Sequence, residues 1–203
     1  MLSAAHWPLV FISVAMIAAA VIDGWKLKVP NWLTFPLILS GWALGAFYDI
    51  TQPPSAVFGF EPYHGSRFVA SFAVTFFGFA IFMPIYLIGG VGAGDVKMQM
   101  GYGAWVGAFC GLYTGMLVVL WGYLLGIVVG GVLGIAIMLV RREFQEYTKN
   151  AREILLDLAT SGGNIGQVAE KAAQRKKRQT LLPYGIPLCI GYLGYWLYVI
   201  YQS

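Results

Sequence analysis

Residues 98–140 read MQMGYGAWVGAFCGLYTGMLVVLWGYLLGIVVGGVLGIAIMLV, 43 positions without one charged side chain. As a helix this run would extend about 65 Å, twice the roughly 30 Å hydrocarbon thickness of a bilayer. It therefore predicts two consecutive spans divided near Gly115, one over about Met100–Thr114 and one over about Leu117–Val140. Outward from there lie four more apolar stretches, at about Ala4–Ile22, Trp32–Tyr48, Phe68–Ile88 and Pro183–Tyr201. The pattern predicts an all-α polytopic membrane protein of six transmembrane helices, with a long cytoplasmic segment between helices five and six. Composition agrees. Of 203 residues 59% are hydrophobic and 11% charged, and the mean hydropathy is +0.70, whereas soluble domains carry about 25% charged residues. The 26 glycines suit helices packed at close range in lipid. No separate soluble domain is expected, so residues 1–203 are read as a single membrane-embedded domain with an insertion at 141–182.

Charge sets the orientation. In a six-span arrangement Lys26 and Lys28 follow the first span and Lys97 the third. Arg141, Arg142, Lys149, Arg152, Lys171 and the cluster Arg175–Arg178 follow the fifth. These are twelve of the thirteen basic residues, all on one side, and the other side holds only Arg67 with the acidic Asp49 and Glu61. By the positive-inside rule the basic side is cytoplasmic and both termini face outward. The first span is expected to be retained: Ala18-Ala19-Ala20 resembles a cleavage site, but no Lys or Arg precedes the apolar run. Within the 141–182 insertion, Phe144, Tyr147, Ala151, Ile154, Leu155 and Leu158 recur at helical spacing. Ser161-Gly162-Gly163-Asn164 then breaks the pattern. An interfacial helix and basic cluster held by anionic lipid headgroups is one reading. A docking arm for a substrate or partner is the other.

Two carboxylates border the apolar runs, where an acid costs a few kcal/mol and is usually there for a purpose. Asp23 closes the first run and is followed by Gly24-Trp25-Lys26-Leu27-Lys28-Val29-Pro30-Asn31-Trp32-Leu33-Thr34. Pro30 and Asn31 are expected to end the loop and start the second helix, with proline in the first turn and asparagine capping it. Lys26 and Lys28 would anchor this loop at headgroup level, or pair with Asp23. Asp95 stands in Gly90-Val91-Gly92-Ala93-Gly94-Asp95-Val96-Lys97. The alternating glycines remove side chains before the carboxylate and let backbone or an extended peptide come close. They do not make a phosphate loop, since neither GxGxxG nor GxxxxGK[ST] occurs. Lys97 could pair with Asp95 or anchor its helix. Cys110 and Cys189 are isolated, so neither a zinc site nor a disulfide framework is expected. His6 and His64 lack nearby ligand partners. No metal, cofactor or nucleic-acid partner is expected.

Three elements together resemble one family. Asp23 followed by Val29-Pro30-Asn31-Trp32-Leu33-Thr34 is similar to the aspartate and [IV]-P-N-x-L-T of the type IV prepilin peptidases. Gly92-Ala93-Gly94-Asp95-Val96-Lys97 matches their GxGDxK, and Pro183-Tyr184-Gly185 resembles their P-[YF]-G ahead of the final helix. The resemblance implies a membrane aspartic endopeptidase that removes the basic leader of prepilins or pseudopilins, with Asp23 and Asp95 as the catalytic pair. Gly92, Gly94, Lys97, Pro30, Asn31, Lys26, Pro183, Tyr184 and Gly185 would support them. Larger family members carry an N-terminal region with two CxxC pairs, associated with N-methylation. That region is missing from this sequence, which is closer to the short peptidases of tight-adherence pili and to preflagellin peptidases, so methyltransferase activity is not expected. Membrane lipids and pilus-assembly proteins are the other partners implied. Two rivals share some of these features. Presenilin-type proteases also use Gly-x-Gly-Asp, but pair it with a Tyr-Asp and a Pro-Ala-Leu element, and the chain is read as having neither. A non-enzymatic scaffold or small transporter would use Asp23 and Asp95 as ion-paired or proton-relay groups. Transporters more often place such acids near the midplane, between repeated halves.

Overall fold

A computed structural model of the chain describes residues 7–26, 29–51, 63–87, 90–141 and 184–202, with residue 156 standing alone between the last two. Among these, six helices follow one another: α1 (Trp7–Lys26), α2 (Asn31–Thr51), α3 (Arg67–Leu87), α4 (Ala93–Cys110), α5 (Leu112–Arg141) and α6 (Gly185–Gln202). The all-helical expectation holds for the described residues. Four helices, α1, α2, α3 and residues Leu112–Ile137 of α5, are long and apolar enough to cross a membrane, which fits a multi-pass membrane protein. The helices α4 and α6 are shorter, at 18 residues each.

α4 sits at the centre, packed directly on α1, α2, α3 and α5. Every residue from Gly101 to Gly111 is buried. Small residues make this possible. A Cβ on Gly103 would lie 2.6 Å from the Val74 carbonyl oxygen, and one on Gly107 2.7 Å from that of Ala70, so the α3 and α4 backbones are in contact. On the α2 side a Cβ on Gly41 would lie 2.6 Å from Ala104 Cβ. Polar side chains cross the same interfaces: Ser71 donates to the Ala104 carbonyl at 2.7 Å, and Trp105 Nε1 to the Leu37 carbonyl at 3.0 Å. Large apolar side chains such as Val14, Leu39, Val69, Val128 and Leu197 point outward, as lipid-facing residues do.

Two boundaries differ from the sequence expectation. The charge-free run divides at Gly111, not near Gly115. Gly111 has φ 88°, the left-handed region that favours glycine, while the Gly115 N–H bonds the Gly111 carbonyl at 3.0 Å and continues α5. α4 also begins at Ala93, not near Met100, because helical hydrogen bonding runs on through the charged residues that an apolar window leaves out. Asp95 therefore lies inside the first turn of a helix, and Asp23 inside the last turn of α1.

At the end of the bundle away from these acids, Asp49 on α2 accepts from the Ser66 hydroxyl at 2.6 Å and from the backbone N–H groups of Arg67 and Phe68 at 2.5 and 3.1 Å. It thus caps α3. The buried Arg67 donates to the Phe109 carbonyl at 2.6 Å, near the C-terminus of α4. These two charges join three helix ends. Apart from Leu156, the insertion at 142–182 lies outside the described residues, as do Lys28, Glu61, His6 and Pro183.

Candidate active site

Asp23 is 4% exposed. Its Oδ2 accepts a 2.9 Å hydrogen bond from the backbone N–H of Gly185, at the start of α6. The fit is tight, since a Cβ on Gly185 would lie 2.9 Å from that same oxygen. Residues 162 positions apart are thereby joined. Lys26 ends α1 with its side chain exposed, and the partner given to Asp23 is backbone.

Asp95 is 5% exposed and is the third residue of α4. Its Oδ2 reaches back to accept from the Gly92 N–H at 2.9 Å, the reciprocal half of a capping box, and a carboxylate there also favours the helix dipole. Gly92 is extended at φ −82°, ψ 154°. The neighbours that need these glycines are internal. A Cβ on Gly94 would stand 3.0 Å from both N and O of Val29, and one on Gly92 3.1 Å from Asp95 Oδ2. Hence the Val29-Pro30 segment lies against the first turn of α4.

Pro30 and Asn31 start α2 differently from the expectation. Pro30 stands just before the helix, its carbonyl accepting from Leu33 and Thr34 N–H at 3.1 and 3.3 Å. Asn31 is the first helical residue, and its side-chain oxygen accepts from Lys97 Nζ at 2.9 Å. Asn31 thus bonds α4 through its side chain and is not the cap of α2. Lys97 also lies over the Phe35 ring at 4.9 Å, so it ties α4 to α2 beside the acids.

The remaining element, at the start of α6, meets the first carboxylate and α5. Gly185 holds Asp23, and Tyr184 is its neighbour in sequence. The Tyr184 ring rests on Gly130 of α5, where a Cβ would approach it to 3.2 Å. Asp23, Asp95, Tyr184, Gly185, Gly92, Gly94, Pro30, Asn31 and Lys97 thus gather at one end of the bundle, joined by the contacts given above.

Sequence reading passed over three features. Gln99, the one side-chain amide in the charge-free run, is fully buried one turn beyond Asp95. Thr34, inside the Pro-Asn element, is also fully buried. The chain does contain one Tyr-Asp dipeptide, Tyr48-Asp49. It is the capping residue Asp49 described above, about 27 Å along α2 from Asn31, and so stands far from Asp95.

A family model described as the type IV leader peptidase family matches residues 10–131, more than half of the chain. The match includes Asp23, Pro30, Asn31 and the whole segment Gly92–Lys97, and ends before Tyr184. No curated protein and no solved structure matches the chain.

Proposed function

The chain belongs to the type IV leader peptidase family, and from that premise we propose that it is an aspartic endopeptidase with Asp23 and Asp95 as its catalytic pair. Membership implies a peptidase acting on prepilin-type substrates in general. The proposed reaction is removal of the basic leader from type IV prepilins or pseudopilins at the cytoplasmic face of the inner membrane. The observation that carries the assignment is the Gly185 N–H bond to Asp23, made by the Pro-Tyr-Gly element at the start of α6.

The proposed chemistry takes the two carboxylates as neighbours, which then cannot both ionise cheaply. One keeps a proton while the other is charged. The charged one takes a proton from water, whose oxygen attacks the scissile carbonyl carbon. The protonated one donates to the carbonyl oxygen, and a proton is then delivered to the leaving nitrogen as the C–N bond breaks. Backbone N–H groups of Gly185 and Gly92 hold one oxygen of each carboxylate, so neither acid has to be ordered during the reaction. All six helices are read as spans, with both termini outside and the basic segments, including the 141–182 insertion, at cytoplasmic lipid headgroups. A substrate would then lay its apolar helix against the bundle with its basic leader in the cytoplasm, and the scissile bond at the depth of Asp23 and Asp95.

The test is to reconstitute the purified full chain in liposomes with a type IV prepilin and to determine the mass of the product. Loss of the leader is expected. Prepilin left intact by the well-folded protein contradicts the proposal.

A further inference from the structure

α6 packs directly on α5 and α1 and reaches α4 through long polar and aromatic side chains. The Tyr192 hydroxyl on α6 donates to Gln99 Oε1 on α4, and also lies 3.4 Å from the Val119 carbonyl of α5. The Tyr192 ring stacks against Tyr102 of α4 with centroids 3.9 Å apart, and Tyr102 accepts from Trp196 Nε1 at 2.8 Å. Both Gln99 and Tyr192 are essentially inaccessible. Gln99 Nε2 has no partner among the described residues, so there the amide sits in an apolar bundle with its hydrogen bonding only half satisfied, which simple core packing does not call for.

The position of this cross-link gives it a use. Gln99 is one helical turn from Asp95, and Tyr192 is two turns from Gly185, which grips Asp23. The separation of the two carboxylates is thereby set by how α6 stands against α4. We propose that Gln99 is a positioning residue of the peptidase: through Tyr192 it fixes α6 on α4 and so fixes the distance between Asp23 and Asp95. This rests on the reading of those two aspartates as the catalytic pair.

The test compares Gln99→Met, Tyr192→Phe and the double variant with the unaltered protein, using prepilin cleavage in liposomes. Methionine keeps the unbranched shape of glutamine and removes the acceptor, while phenylalanine keeps the ring stack and removes the donor. Each single variant is expected to lower kcat roughly tenfold, because displacements well under 1 Å matter at this level, with KM within about twofold. The double variant should be no slower than the slower single one. The rate–pH bell should narrow, since carboxylates that move apart repel less and titrate closer together. Thr75→Val, which removes the buried Thr75 bonds to the Ser71 carbonyl and Trp42 Nε1, should lower thermal stability and leave kcat and the bell unchanged. If Gln99→Met does not fold, Tyr192→Phe decides alone. Unchanged kcat and bell width in the folded variants, or losses that multiply in the double variant, overturn the positioning role. Asp23→Asn and Asp95→Asn run alongside: if they remain inactive the catalytic pair stands without it, and if they cleave normally the pair itself is wrong.

Discussion

Gly185→Ala puts one methyl group directly against a proposed catalytic carboxylate. The new Cβ would stand 2.9 Å from Asp23 Oδ2, 3.1 Å from its Cβ and 3.3 Å from its Cγ. Ordinary contact begins at 3.4 Å, so the carboxylate or the start of α6 must retreat by about 0.5 Å. The same movement stretches the 2.9 Å bond from Gly185 N–H to Asp23 out of the favourable range. A misplacement of 1 Å costs about a hundredfold in rate, so half of that predicts a roughly tenfold loss, equal to about 1.4 kcal/mol on the barrier. Overpacking should also destabilise the fold by about 1–3 kcal/mol. The assay is prepilin cleavage under saturating and limiting substrate, beside thermal unfolding of the same preparation. The loss should fall on kcat, with KM little changed, because the methyl group touches a proposed reacting carboxylate. Cleavage at the unaltered rate by a Gly185→Ala protein would refute the role given to the Tyr184-Gly185 element.

Gly107→Ala should disrupt the α3–α4 contact, because its Cβ would meet the Ala70 carbonyl at 2.7 Å and Ser71 Cα at 2.9 Å. Backbone cannot step aside cheaply, so a stability loss of about 1–3 kcal/mol is expected in thermal or denaturant unfolding. Arg67→Met removes a buried charged donor from the Phe109 carbonyl, and should cost about 1.5–3 kcal/mol in the same assays, with cleavage per folded molecule preserved. Lys97→Met loses the bond to Asn31 and the contact with Phe35. Its half-exposed position limits the stability cost to about 0.5–1.5 kcal/mol, and because it ties α2 to α4 beside Asp95, cleavage should fall less than in Gly185→Ala.

Much of the helical order was legible in the sequence, because residues 98–140 are too long for one crossing and the other apolar runs are the length of one. Which helix lies at the centre was not. Hydropathy scores a residue facing lipid and one facing another helix alike, and α4, the most enclosed helix, carries Asp95, Lys97 and Gln99. The break at Gly111 was hidden for a related reason. Gly101, Gly103, Gly107, Gly111 and Gly115 look equivalent in the sequence, and of the five Gly111 alone takes a positive φ, with the Tyr63 side chain in the space a Cβ would fill. Asp23 and Asp95 stood out as acids next to apolar runs, and their motifs named the elements around them. The bond from Gly185 to Asp23 could not be read, since nothing local records a contact across 162 positions. Asn31 shows the limit of local rules: it has the chemistry of a cap, but Lys97 from another helix takes its oxygen. Gln99 carried a visible signal, an amide in a charge-free run, whose meaning depended on its contact with Tyr192 of α6.

The catalytic assignment stands or falls on Asp23→Asn and Asp95→Asn, each reconstituted with a type IV prepilin and read by the mass of the prepilin after incubation. Asparagine keeps the shape and the acceptor oxygen for Gly185 or Gly92, so both variants should fold and melt close to the unaltered protein. Both should leave the leader attached at times when the unaltered enzyme has removed it completely. Leader removal at a normal rate by either folded variant would contradict the assignment.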